Sequence, residues 1–372
     1  MKLTIERATL LKALAHVQSV VERRNTIPIL ANVLLDGHDG ALTLTATDMD
    51  LAITETVPAD ISRAGATTAP AHTLYDIVRK LPDGAQVEIE TDAEAAQMMI
   101  RAGRSRFNLS TLPVEDFPTM SGGDLPNTFS LEAEDLRTLI DRTRFAVSTE
   151  ETRYYLNGIY LHGAEDDGAT MLRAVATDGH RLARVQLPMP EGGEGLPGVI
   201  VPRKAIAELR KLIEEISDPM EISLSDTRVR VTFDDAVLTS KLIDGTFPDY
   251  ERVIPTGNDK VLTVDRNSFA RAVDRVSTIS SEKSRAIKLA VGKGNLTLSA
   301  TSAENGSATE ELEVGFDHDE IEIGFNSRYL LDITSQIDSD SAEFVLADAS
   351  SPTIVRDGED PSALYVLMPM RV

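Results

Sequence analysis

The chain has 372 residues, no Cys, and 37 Lys and Arg against 60 Asp and Glu, for a net charge of −23 at pH 7. With no Cys there is no disulfide framework, no thiolate nucleophile and no Cys-ligated metal. No apolar run approaches the ~18 residues of a membrane span, and Met1-Lys2-Leu3-Thr4-Ile5-Glu6-Arg7 lacks the apolar core of a signal peptide, so a cytoplasmic protein is expected.

In chain order, a strand at Thr4-Ile5-Glu6 runs into a helix whose face is Leu10, Leu11, Leu14 and Val17, with Thr9 as its expected N-cap. Next comes an alternating strand, Leu42 to Thr47, ending at Asp48. Ala69-Pro70-Ala71 then opens a second helix before Leu74-Tyr75-Asp76-Ile77-Val78. Val87-Glu88-Ile89-Glu90 alternates as a half-buried strand. Ser110-Thr111-Leu112-Pro113, with Phe117-Pro118, reads as a closing strand.

The same paragraph then recurs twice, at a period of about 130 residues. Ser130-Leu131-Glu132 and Thr263-Val264-Asp265 repeat the opening. Leu172 to Asp178 and Leu296 to Ser302 repeat the alternating strand and its turn. Val201-Pro202-Arg203 and Phe325-Asn326-Ser327 repeat the second helix entry. Ser240-Lys241-Leu242-Ile243 and Val366-Leu367-Met368-Pro369 repeat the close. Such a period exceeds that of solenoid repeats, so each copy is expected to be a domain with its own core. The expected domains are 1–121, 128–251 and 260–372, with linkers at Ser121-Gly122-Gly123-Asp124-Leu125-Pro126-Asn127 and Ile254-Pro255-Thr256-Gly257-Asn258-Asp259. Two helices among many antiparallel-type strands per copy make the class α+β.

A net acidic protein argues against nucleic acid, but the distribution of charge points the other way. The six expected helix windows are 9–24, 72–80, 135–145, 202–215, 266–288 and 328–337. They hold 19 Lys and Arg against 10 Asp and Glu, while the rest of the chain is strongly acidic. Solvated helix faces are the bland alternative.

Enzyme chemistry finds little support. Gly292-Lys293-Gly294-Asn295 lacks the upstream Gly and the Ser/Thr of a phosphate loop and reads as a hairpin turn. His16, His38, His72, His162, His180 and His318 show no metal-site spacing. Asp48, Asp50, Asp178 and His180 could be drawn as a hydrolytic cluster. Asp48 and Asp178, however, occupy equivalent places in two repeats, which favours turn capping. Asp317-His318-Asp319-Glu320 reads as a solvated loop.

Several motifs in combination resemble the β sliding clamp of bacterial DNA polymerase III. They are Arg153-Tyr154-Tyr155-Leu156-Asn157-Gly158, Ala176-Thr177-Asp178-Gly179-His180-Arg181-Leu182, Val201-Pro202-Arg203-Lys204, Thr239-Ser240-Lys241-Leu242, Phe247-Pro248-Asp249-Tyr250 and Met368-Pro369-Met370-Arg371. The resemblance spans the whole chain. It implies three repeated DNA-clamp domains, with helices on the inner face and antiparallel sheets outside. It further implies a head-to-tail homodimer closing into a six-domain ring, and a non-catalytic processivity factor with no cofactor. The implied partners are duplex DNA without sequence preference, the polymerase III α subunit, the clamp loader, and other replication and repair proteins carrying a clamp-binding peptide. No membrane partner is implied. An acidic peptide-binding scaffold without DNA encirclement is the alternative, and a metal-dependent hydrolase a weaker one.

By the same resemblance, Arg24, Tyr154, Arg203 and Lys204 match DNA contacts. Lys12, Arg23, Arg137, Arg142, Arg271 and Arg275 are further cations on the expected helices. A peptide pocket is implied at Tyr155, Leu156, Thr177, Gly179, His180, Arg181, Leu182, Pro248, Arg252, Val253, Tyr329, Val366, Met368, Pro369, Met370 and Arg371. Its Leu, Val and Met side chains suit an adaptable apolar pocket. Phe107 and Leu109 at one end, and Thr278 and Ile279 at the other, match dimer contacts. Three positions depart from the family pattern: His72 and Glu150 stand where a basic residue and a Gln are usual, and Pro352 replaces a small hydroxyl residue.

Overall fold

The computed structural model describes residues 1–92, 96–120, 123–281 and 285–372. Ser121 and Gly122 of the first expected linker, and 282–284 of the 266–288 helix window, lie outside the described residues.

The first repeat opens with β1 (Lys2–Glu6), α1 (Arg7–Val17), β2 (Asn32–His38), β3 (Ala41–Thr47), β4 (Leu51–Pro58), β5 (Asp60–Arg63) and β6 (Gly65–Pro70). It closes with α2 (Ala71–Lys80), β7 (Gln86–Asp92), β8 (Gln97–Ala102) and β9 (Ser105–Ser110). The second repeat runs β10 (Asn127–Leu131), α3 (Ala133–Asp141), β11 (Gly158–Asp166), β12 (Ala169–Thr177) and β13 (Arg181–Pro188). It continues with β14 (Val199–Pro202), α4 (Arg203–Leu212), β15 (Met220–Leu224), β16 (Arg228–Phe233) and β17 (Ala236–Lys241). The third runs β18 (Lys260–Asp265), α5 (Arg266–Ser277), β19 (Ala286–Gly292), β20 (Asn295–Ser302) and β21 (Gly306–Glu313). It ends with β22 (Ile321–Asn326), α6 (Ser327–Thr334), β23 (Ser341–Leu346), β24 (Thr353–Asp357) and β25 (Ala363–Leu367).

The second and third repeats have the same order of elements, the first adds one short strand, β5, and the paired strands are antiparallel. The class is α+β, built of three repeats.

Helices begin directly at the end of a strand, with no intervening residue except Glu132 before α3. Asp265 and Asn326 cap α5 and α6 by accepting the amides of Ser268 at 2.7 Å and Arg328 at 3.0 Å. Thr9 does not cap α1. The helix starts two residues earlier, after extended Glu6, and the Thr9 hydroxyl only reaches the Glu6 carboxylate at 3.4 Å. The buried face of α1 is Leu10, Ala13, Leu14 and Val17; Leu11 is only half-buried.

Five of the six helix windows overrun the helix they mark: α3, α4 and α6 stop three or four residues short of 145, 215 and 337, and two windows overrun by more. The 9–24 window ends its α-helix at Val17 and continues as a 3-10 turn to Val20. The 266–288 window stops at Ser277. There Ser277 and Ser280 hydroxyls turn back onto the carbonyls of Asp274 and Ser277, both at 2.8 Å, competing with helix continuation. The expected first closing strand is also displaced: β9 ends at Ser110, so Thr111-Leu112-Pro113 lies beyond it.

By packing, the described chain divides into two compact units. One comprises Met1–Glu134, Pro190–Gly193 and Lys204–Leu242. It holds a five-stranded sheet, β5-β1-β7-β8-β9, and an eight-stranded sheet, β10-β15-β16-β17-β4-β3-β2-β6. The other comprises Asp135–Met189, Glu194–Arg203 and Ile243–Val372. It holds an eight-stranded sheet, β14-β11-β12-β13-β25-β24-β23-β18, and a four-stranded sheet, β21-β20-β19-β22.

Each eight-stranded sheet is shared by two repeats. In the first unit the closing strand β17 pairs with β4, from Leu51↔Ser240 to Glu55↔Ala236. In the second, the closing strand β25 pairs with β13, from Arg181↔Leu367 to Val185↔Ala363. One repeat's edge thereby becomes the next one's partner, and main-chain hydrogen bonds carry the sheet across the join.

Candidate peptide-docking and nucleic-acid sites

The turn after the alternating strand is built alike in the first two repeats. Asp48 Oδ1 accepts the amides of Asp50 at 2.9 Å and Leu51 at 2.7 Å. Asp178 Oδ1 accepts those of His180 at 2.9 Å and Arg181 at 3.1 Å. Thr47 and Thr177 donate to the carbonyls of Leu51 and Arg181 at 2.9 and 2.7 Å. Both aspartates are turn caps, as the repeat implied. The residue that follows each has positive φ, +80° at Met49 and +88° at Gly179.

Within the second unit this turn borders an apolar trough of about 300 Å3. Its floor is Leu156, Leu182 and Val366, all buried, packed with Val175, Ile200, Phe247 and Tyr250 in one core cluster. Tyr155, Pro248, Val253 and Met368 form the upper walls; Val253 and Met368 are exposed large apolar side chains, the latter 39% accessible. An aliphatic floor under two accessible apolar walls suits the Leu or Phe side chain of a docked segment, each worth roughly 1.5–3 kcal/mol when fully buried.

Ten of the sixteen expected pocket residues line the trough: Tyr155, Leu156, Thr177, Gly179, Arg181, Leu182, Pro248, Val253, Val366 and Met368. The other six do not. His180 sits on the exposed turn, its carbonyl accepting the Met368 amide at 2.9 Å. Arg252 points to solvent and pairs with Asp249 at 2.7 Å. Tyr329 lies behind the trough with the Arg181 guanidinium 4.3 Å above its ring. Pro369 and Arg371 lie past β25. Met370 turns away to pair with Gly324, its amide donating to that carbonyl at 2.8 Å.

Arg181 belongs to the wall of the trough. It donates to Asp178 at 3.1 Å, Asp332 at 2.5 Å and the Phe145 carbonyl at 2.6 Å, and is almost fully buried.

Three lining residues were not anticipated: Arg153, Asp249 and Tyr250. Arg153 is non-helical within its 3-10 segment, which turns its side chain toward Gly179; it donates to the Asp178 carbonyl at 3.0 Å. Glu150, one of the family departures, holds it at 2.9 Å, and that hydrogen bond lowers the Glu150 pKa. The motif around Arg153 was visible in the sequence, but the kink that aims it was not. Behind Tyr250, its hydroxyl meets His162 Nε2 at 3.0 Å, and the His162 ring stacks on Tyr160 at 4.6 Å. Burial pushes the His162 pKa down, opposed by its hydrogen bond with the Gly163 carbonyl. Pro352 supplies only its carbonyl, to Asn258 at 2.9 Å.

The expected DNA contacts fall into two groups. Arg24 and Arg203 are exposed, and Tyr154 is 54% accessible. Lys204 is occupied: its ammonium meets Asp48 and, at 3.0 Å, Glu22. Burial alone would lower its pKa, but the hydrogen bonds to both carboxylates outweigh this and raise it. His72, the other departure, meets the Val21 carbonyl at 2.9 Å and so braces the loop carrying Arg23 and Arg24.

Among the further cations, Lys12, Arg23 and Arg271 are exposed and Arg137 is half-buried. Arg142 is committed to Asp338 at 2.7 Å and Asp360 at 2.5 Å, and Arg275 to Glu310 at 3.0 Å, so neither is a free cation. The observed α-helices hold 13 Lys and Arg against 7 Asp and Glu. The basic surplus survives the shorter helices, at a reduced size.

At the expected dimer positions, Phe107 and Leu109 are half-buried on β9, an edge strand; Thr278 is exposed after α5 and Ile279 half-buried.

Three copies of one α+β domain, joined sheet edge to sheet edge and carrying an apolar trough, make a tandem-domain clamp scaffold. Comparison with known proteins agrees along the whole chain. The N-terminal, central and C-terminal domains of the DNA polymerase III beta subunit family match residues 1–121, 130–249 and 251–371. A beta sliding clamp of Caulobacter vibrioides is 58% identical over 372 residues, and one of Escherichia coli K12 39% identical over 375, each covering 100% of both chains. A crystal structure of a Bartonella birtlesii sliding clamp bound to griselimycin superposes with a TM-score of 0.97 at 51% identity, covering 100% of both chains. That of the Caulobacter crescentus clamp superposes at 0.96 with 57% identity, again covering 100% of both chains. The chain belongs to the DNA polymerase III β-subunit family, the sliding clamps. Its function is that of a non-catalytic processivity factor acting with DNA and polymerase in replication.

Proposed function

We propose that the protein works in the cytoplasm as a head-to-tail homodimer closed around duplex DNA. In this reading the polymerase α subunit, the clamp loader and repair proteins each dock a short peptide in the trough. The observation that carries the dimer is a pattern of used and unused strand edges. β17 pairs with β4, and β25 with β13, the third repeat's closing strand against the second repeat's counterpart of β4. Carrying this rule one step further leaves β9 and β21, both at sheet edges. In a head-to-tail dimer a second copy supplies each edge with its partner, and a closed pair leaves neither edge open, whereas an open chain leaves one at each end. Exposed Arg104 and Arg106 flank or lie on β9, and exposed Glu311 and Glu313 lie on β21, so the two edges also complement in charge.

Enclosure explains how a protein of net charge −23 can stay on DNA. Arg24, Tyr154, Arg203 and Lys204 touch phosphates without reading bases, and topology supplies retention. The domains in this reading are 1–121, 128–251 and 260–372.

The test has two arms. Solution mass at micromolar concentration is expected near twice 40.4 kDa. After loading, retention is expected on circular DNA and rapid loss from linear DNA. A monomer, or equal retention on both, would reject enclosure.

A further inference from the structure

We infer that Glu22 is an electrostatic brake on DNA contact: it holds Lys204 in an ion pair that a DNA phosphate must displace. The inference rests on the proposed DNA role of Lys204.

The two carboxylates on Lys204 are not equivalent. Asp48 is fixed. Its Oδ1 takes two turn amides while Oδ2 takes the ammonium, and its side chain is only 12% exposed. Glu22 is 60% exposed and bonds Lys204 at 3.0 Å with one oxygen. It follows buried Val21, whose carbonyl is held by His72, and precedes exposed Arg23 and Arg24. Neither Arg makes a hydrogen bond or ion pair among the described residues.

One carboxylate therefore sets the position of Lys204, and the other occupies the side of the ammonium nearer solvent, where a phosphate would sit. A phosphate replacing Glu22 leaves the Asp48 bond intact, so Lys204 needs no rearrangement to exchange partners. The exposed ion pair is weak enough to yield, yet it must be broken at each contact. It also ties the loop bearing Arg23 and Arg24 to the start of α4. Breaking and remaking such a pair suits a protein that has to move along DNA without being trapped on it.

The experiment titrates full-length protein against a short linear duplex, whose open ends admit a ring without a loader, at several low salt concentrations. The variants are Glu22→Gln, Lys204→Ala and the double. If the brake operates, Glu22→Gln tightens binding about two- to fivefold, the equilibrium weight of an exposed ion pair. Lys204→Ala loosens binding, and Glu22→Gln then gives no gain on the Lys204→Ala background. A gain that persists in the double variant overturns the brake, because Glu22 would then act only through the general field. No gain from Glu22→Gln, with loosened binding in Lys204→Ala, overturns the brake and leaves the DNA role standing. Unchanged binding in Lys204→Ala rejects the DNA role of that residue and the brake with it.

Discussion

The Met368 amide donates to the His180 carbonyl at 2.9 Å, and one repeat earlier the Lys241 amide donates to the Asp50 carbonyl at 2.8 Å. The same main-chain clasp closes both inter-repeat joins, and side chains then make them differ. At the first, the Lys241 ammonium pairs with the Asp50 carboxylate at 2.8 Å. At the second, Met368 leaves an apolar wall over the trough. The clasp also corrects the alignment of the third closing segment by one residue: Met368, not Leu367, is the counterpart of Lys241.

Met368→Ala is expected to weaken peptide binding about 5- to 50-fold, as for a hot-spot side chain, with little change in melting temperature. Deleting Met368 through Val372 should abolish binding and also lower the melting temperature, because the Met370–Gly324 bridge goes with it. Solution mass should not change in either. Calorimetric titration and thermal melts separate the two effects. Full affinity in the truncated protein would place docking elsewhere.

Gly179→Ala puts a Cβ 2.5 Å from the Arg153 guanidinium at a φ of +88°. The backbone alone tolerates a side chain there, since Met49 holds the equivalent conformation. Stability should fall by about 1–2 kcal/mol, the cost of the left-handed region. Peptide affinity should fall roughly tenfold through displacement of Arg153, the weight of a lost charged hydrogen bond. Denaturant melts and peptide titration read the two quantities independently; intact affinity would show that Arg153 does not serve the wall.

His162 makes the trough sensitive to acid. Its folded pKa is lowered below the ordinary 6.5, so the native state binds fewer protons than the unfolded state in that range. The stability it contributes is present above pH 6.5 and is lost as pH falls through that value toward the folded pKa. Protonation also removes the acceptor facing the Tyr250 hydroxyl. Peptide affinity is expected to drop between pH 7 and pH 5, and His162→Gln to flatten that profile. An identical slope in the variant would assign the titration to another group.

Phe107→Asp should convert the dimer to monomer, since closing the ring would bury an unpaired charge at the β9 edge. Ile279→Asp tests the opposite end. Sedimentation at micromolar concentration gives the answer, with peptide affinity in the second unit as the control for folding. Persistent dimers in both would put the contact on other edges.

The threefold repeat, the strand-helix openings and the turn caps at Asp48 and Asp178 were legible in the sequence. Each depends on local spacing: alternation in β3 and β12, and an Asp placed to accept the amides two and three residues on. The floor of the trough was legible only through the family resemblance, which implied Leu156, Leu182 and Val366 together; no local pattern joins these three. What tertiary structure alone decided was the partner of each charge. Arg142 and Lys204 read as available cations and Arg181 as a pocket residue in one dimension, yet Asp338, Glu22 and Asp332 reach them from 196, 182 and 151 residues away. The turn of Met370 toward Gly324 and the kink that aims Arg153 were likewise invisible. A strand's period is written in neighbouring side chains, whereas an ion pair forms wherever folding brings two charges within reach, at a separation that no local pattern records.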